Sequence, residues 1–185
     1  MNPARLEMDV DPSPIFTAEE VRFFLKEDDD SIQDDILDLF VAMATQCGEN
    51  CTNRSFVTQD WIQYFDSFDC ALRLGRGKVQ TVSAVKYLDA NGDEQTLSAA
   101  NYVTDLVSEP ARIQLASGGT WPTIDDVPNA VRVEFSAGYG DEPANVPAEL
   151  RLWLLRCVGY LNENRQAQDL PEHLISELFS FRIQL

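Results

Sequence analysis

The chain has 185 residues, with 31 Asp and Glu against 14 Lys and Arg, for a formal net charge of −17. That length suits one domain, or one domain carrying an insert, on the usual scale of roughly 100 to 200 residues per domain. A hydrophobic content of 44% excludes the disordered and low-complexity classes. The charge argues against gripping nucleic acid by its phosphates, which takes clustered Lys and Arg, and against binding an anionic membrane surface.

The charge is uneven. Residues 1–50 hold 13 acids against Arg5, Arg22 and Lys26, a balance of −10. Such a run, including Glu27 to Asp30, Asp34, Asp35 and Asp38, reads as a solvated acidic helical face. The opening MNPARLEMDVDPSP lacks a basic stretch followed by an apolar one, so no secretion signal is expected. Apolar runs are too short to cross a bilayer. With no oxidising compartment implied, Cys47, Cys51, Cys70 and Cys157 are expected to be reduced thiols.

In chain order, Thr17 with Glu20 makes a capping box for a short helix through about Lys26, and Ser31 with Asp34 starts a longer one through about Cys51. Ile32, Ile36, Leu39, Phe40, Met43 and Cys47 recur at three- and four-residue spacing and are expected to face inward, with Asp34, Asp35 and Asp38 outward. From about Phe56 to Gly140 the period becomes two. Strands are predicted at 57–68, 79–88, 101–107, 112–115 and 130–137, with Asn91-Gly92 as a hairpin turn and Trp121 on a loop. Pro147 then opens a helix through about Asn164, with Leu150, Trp153, Leu154, Cys157, Val158 and Leu161 on one stripe. Leu152, Leu155 and Gly159 form a second stripe beside it, wide enough to meet another subunit. Pro171 opens a last short helix, and the chain ends on an apolar tail from Phe179 to Leu185. The fold class expected is α+β: a helical bundle from the N- and C-terminal helices (1–55 and 141–185) around an inserted antiparallel β-rich module (56–140).

Catalytic chemistry is hard to build from these residues. The single histidine, His173, has no metal motif around it, and Cys47 and Cys51, one helical turn apart, lack the further pair a zinc site needs. The Asp89-Ala90-Asn91-Gly92-Asp93 segment begins like a calcium loop, but Glu94 stands where glycine is required and Ala100 where a bidentate Glu should be. Gly75-Arg76-Gly77-Lys78 has neither the spacing nor the following Ser/Thr of a phosphate loop. No enzyme, cofactor or metal is expected.

Several linked stretches resemble one family. Thr17-Ala18-Glu19-Glu20-Val21 before the first helix, Thr58-Gln59-Asp60-Trp61, Val82 to Asp89, Glu109-Pro110-Ala111-Arg112-Ile113, Thr120-Trp121-Pro122, Pro128 to Val133, Ala137-Gly138-Tyr139-Gly140-Asp141 and the helix ending Tyr160 to Arg165 are similar, in order, to the head-tail connector (adaptor) proteins of tailed bacteriophages and gene transfer agents. Gly75 to Lys78 and Cys51 depart from that pattern. The resemblance implies a structural virion protein at the head-tail junction, present in the host cytoplasm during assembly. Its copies would form a dodecameric ring under the portal protein, extend the DNA channel without specific DNA binding, and offer a platform to stopper or tail-terminator proteins. It further implies a portal-binding tail (Phe179, Phe181, Arg182, Ile183, Leu185). Leu152, Leu155 and Trp121 are candidates for contacts between subunits, and Asp34, Asp35 and Asp38 for a surface facing the channel or the next neck protein. The competing reading is an acidic binding module or DNA mimic acting as a monomer.

Overall fold

A computed structural model describes residues 6–8, 14–26, 33–165 and 169–184. It is a mixed α/β protein with antiparallel sheets, and its chain divides into two compact units. One comprises 12–57 and 139–182, the other 1–11, 58–138 and 183–185.

The first unit is helical: α1 (Ala18–Leu25), α2 (Asp34–Thr52), α3 (Ala148–Glu163) and α4 (Glu172–Glu177), the last followed by a 3-10 turn, Leu178–Phe181. The capping box at α1 forms as expected. Glu20 N–H donates to Thr17 Oγ1 at 3.3 Å, and Thr17 N–H donates to Glu20 Oε2 at 2.9 Å, so two backbone donors that the helix leaves unpaired are satisfied reciprocally. At α2 the expected start shifts. Gln33 occupies the cap position without a side-chain bond, and Ser31 lies outside the described residues.

The inward face of α2 also differs from expectation. Leu37, Phe40, Val41, Ala44 and Gly48 are buried, whereas Leu39 and Met43 are 56% and 44% exposed. Gly48 supplies the physical reason. A Cβ there would stand 2.8 Å from Trp153 Cζ3 and 2.9 Å from the Phe56 ring, so the helix turns its glycine toward two large aromatics and closes on them. A hydrophobicity pattern gives glycine no weight and so favours the neighbouring, bulkier stripe. Helix α3 buries its expected stripe, Leu150, Trp153, Leu154, Cys157, Val158 and Leu161, in the same apolar cluster as α1 and α2. Trp153 Nε1 donates to the Leu174 carbonyl at 2.7 Å, tying α3 to α4.

The second unit holds two antiparallel sheets. The larger runs β1 (Leu6–Met8), β2 (Gln59–Phe65), β8 (Val131–Ala137), β4 (Val79–Leu88), β5 (Glu94–Thr96) across its width; the smaller runs β3 (Ala71–Arg73), β7 (Arg112–Leu115), β6 (Tyr102–Asp105). The short strands β1, β3 and β5 were not expected, because three residues are too few to show a period. In the central strand β8, Val131, Val133, Phe135 and Ala137 are buried and alternate with Arg132, Glu134 and Ser136. Those four join Leu72 and Ile113 of the smaller sheet in one core. The β4–β5 hairpin turns at Gly92, whose φ of 82° suits glycine. Asp89 braces it, its carboxylate accepting from the backbone N–H of Asn91 at 2.8 Å and of Asp93 at 3.2 Å and from Gln95 Nε2 at 3.0 Å. Those bonds, the one to Asn91 foremost, hold the Asp89 carboxyl below its ordinary pKa.

Candidate functional site

Among the described residues no group of three or more His, Cys, Asp and Glu is placed to hold a metal ion, and no helix is long and apolar enough to cross a membrane. His173 is exposed. Cys157 is buried and its thiol is pushed up to about 12; the half-buried Cys47 is pushed up to about 11, each chiefly by desolvation. Thiols so shifted stay protonated at neutral pH and are poor nucleophiles. What the molecule does offer is surface.

On the helical unit that surface is apolar and acid-flanked. Along α2, Asp35, Asp38, Leu39, Ala42, Met43 and Gln46 are all exposed, the three- and four-residue spacing of one helix face. Asp34 pairs with Arg22 of α1, and its side chain remains 62% exposed. On α1, Phe23 is 88% exposed. Of the second stripe expected on α3, Leu152 is exposed, whereas Leu155 is half-buried against the helical core and Gly159 lies beside Leu25.

The C-terminal tail is divided. Phe179 is 63% exposed and Arg182 is exposed, while Phe181 rests half-buried on the helical core and Ile183 is buried. Leu185 lies outside the described residues. Within this chain Leu178–Phe181 forms a 3-10 turn.

On the β unit, Trp121 is half-buried, stacked on Phe68 at 4.5 Å with an interplanar angle of 6°, and Phe68 meets Tyr87 edge-on. All three rings pack against the core of this unit. The Gly75-Arg76-Gly77-Lys78 segment is held in several places. Gly75 N–H donates to buried Gln63 Oε1 at 2.7 Å, Arg76 lies 4.3 Å over the Trp61 ring, and the Lys78 carbonyl accepts from Gly138 N–H at 2.9 Å. Lys78 itself adopts φ 57°, a left-handed conformation uncommon outside glycine. Its side chain edges an open hollow of about 220 Å³, lined also by Val79, Ala111 and the 106–109 turn.

Asp105 fixes that turn. Its carboxylate accepts from Ser108 Oγ at 2.7 Å, from the backbone N–H of Ser108 at 3.1 Å and of Val107 at 3.2 Å, and from Arg112 Nε at 2.9 Å. The bonds from Ser108, then those from Arg112 and Val107, lower its pKa to about 2. Val107, at the crest of the turn, is 94% exposed. Sequence reading missed the hollow because Lys78 and Val107, which line it together, are far apart in the chain.

This architecture has known counterparts. The chain shares its fold with chains of gene transfer agent particles. It superposes with a TM-score of 0.82 on a chain of the virion of a native gene transfer agent particle, at 20% identity over 97% of this chain and 96% of that one. It likewise matches a chain in the neck of the empty particle, computed with C6 symmetry, at a TM-score of 0.82 and 19% identity over 98% of this chain and 96% of that one. A chain in the neck of the native particle, computed with C12 symmetry, gives 0.78 at 20% identity over 98% of this chain and 96% of that one. No protein-family model matches the sequence, and no curated protein does.

Proposed function

We propose that this chain is a structural neck protein, a head-tail connector whose copies form a ring under the portal, prolong the DNA channel and carry the stopper or tail-side proteins. The observation that carries the reading is the likeness in fold, over 97% of the chain, to a chain of a gene transfer agent virion, together with neck chains of the same fold seen under C12 symmetry. The neck neighbours were computed with C6 and C12 symmetry, and a ring of twelve copies is compatible with both. The −17 charge fits. Carboxylates repeated around a ring repel phosphates over a Debye length of about 8 to 10 Å, so DNA passes the wall without adhering. A ring also needs two different contact faces on each copy, and both units carry exposed apolar side chains, Leu39, Met43 and Leu152 on one and Val103 and Val107 on the other.

The tail contributes the portal contact. Phe179 and Arg182 face solvent and are available to it, whereas Phe181 and Ile183 are engaged within the chain and would join only if the tail were released. The test mixes the purified chain with portal and looks for a ring by electron microscopy. A ring on the portal that is lost on Phe179→Ser with Arg182→Glu, two exposed changes that leave the core intact, is the expected result. Failure of the unaltered chain to form any ring on the portal sinks the reading. A stable monomer that competes with DNA for a DNA-binding protein would favour the acidic-mimic alternative.

A further inference from the structure

In a chain with so large an acidic excess, Arg22, Lys86, Arg112, Arg132 and Arg156 pair with carboxylates among the described residues. The Lys78 ammonium has no hydrogen bond or ion pair among the described residues. The Lys78 backbone is left-handed, and its carbonyl accepts from Gly138 N–H. Beside it the Asp105-braced turn holds Val107 almost fully exposed, and the hollow between them, about 220 Å³, has room for one or two aliphatic side chains. The lining is mixed, with Ser108 and Glu109 beside Lys78 and the aliphatic Val79, Leu106, Val107 and Ala111, so the hollow offers one ammonium next to an apolar crest on an acidic molecule. The exposed face of α2 is its complement, with Leu39 and Met43 one turn apart beside Asp35 and Asp38.

We infer that the occupant of the Lys78–Val107 hollow is the α2 face of a second copy, with Leu39 or Met43 seated against Val107 and Asp35 or Asp38 paired with Lys78. The contact rests on the ring reading and deepens it by naming the two surfaces that meet. Because hollow and helix face are different patches, the contact is heterologous and propagates from copy to copy, which closes a ring when the rotation permits. The charge pairing fixes register and partner choice, while the apolar seat supplies the attraction that two strongly acidic copies otherwise lack. Leu39 and Met43 are thereby given a reason to remain outside the core.

The test uses two full-length variants, Lys78→Glu and the pair Asp35→Lys with Asp38→Lys, whose altered side chains are all exposed. Self-association is followed by sedimentation velocity across a concentration series. Each variant alone is expected to associate about tenfold or more weakly than the unaltered chain. The Asp variant is the more telling, since it lowers the net charge and general repulsion by itself would make it associate more strongly. Mixed one to one, the two variants regain association, because every hollow then meets an oppositely charged face. Strengthened association of the Asp variant, a mixture no better than its components, or an unaltered chain that stays monomeric at every concentration overturns the contact. Rings of either variant that form normally on the portal would overturn the contact and leave the ring reading standing; absence of rings with the unaltered chain would remove that reading.

Discussion

Arg54, just beyond the C-cap of α2, donates through Nε to the Phe181 carbonyl at 2.5 Å, pinning the C-terminal turn to the helical unit. Arg54 is only 9% exposed, so this is a charged donor used inside the fold. Hydrogen bonds to charged groups contribute about 1.5 to 3 kcal/mol. Replacing Arg54 with Met keeps the apolar stem and removes the donor. Amide exchange over 178–184 is expected to accelerate while that of α3 changes little; equal protection in both proteins would show that the tail is held by other contacts.

Gly48→Ala tests the close approach of α2 to Trp153 and Phe56. Helix propensity alone favours alanine by about 1 kcal/mol. The added methyl would sit within 3 Å of both rings, and overpacking of that kind costs about 1 to 3 kcal/mol. A lower urea midpoint is expected. A higher midpoint would mean that the rings yield freely.

The Asp105 turn predicts a pH dependence. A carboxyl whose folded pKa is lowered, here to about 2, adds stability above its unfolded value near 4, and that stability is lost as pH falls from about 4 to about 2. Asp105→Asn is expected to be less stable than the parent at neutral pH and to converge with it near pH 2. A gap that persists at pH 2 would mean the loss is one of packing rather than of charge.

Thiol reactivity should follow burial. Cys70 is exposed, whereas Cys157 is buried with its pKa near 12. Iodoacetamide at pH 8, read by peptide mass spectrometry, is expected to modify Cys70 first and Cys157 only on unfolding. Because the Cys157 pKa is raised, its contribution to stability is complete below about pH 9 and declines toward pH 12. Early modification of Cys157 in the folded protein would contradict its placement.

Local chemistry was legible in the sequence wherever it needs only near neighbours. Thr17 and Glu20 announced the first cap, Asn91-Gly92 the hairpin, and the alternation of Val131, Val133 and Phe135 a strand with one buried side. The α3 stripe was equally plain, since one face of a helix repeats every three or four residues. The side on which α2 would be buried was not. Two apolar stripes compete there, and the choice falls to Gly48, whose missing side chain matters only because Trp153, 105 positions later, comes to rest against it. The same limit governs function. Composition by itself determined that the molecule is acidic and has hydrophobic content enough for a core, because charge and hydrophobic content are sums that need no geometry. Only the tertiary structure decided that Lys78 stands beside Val107 and that Leu39 and Met43 face outward, since a binding surface consists of residues the fold brings together and of those the core leaves out.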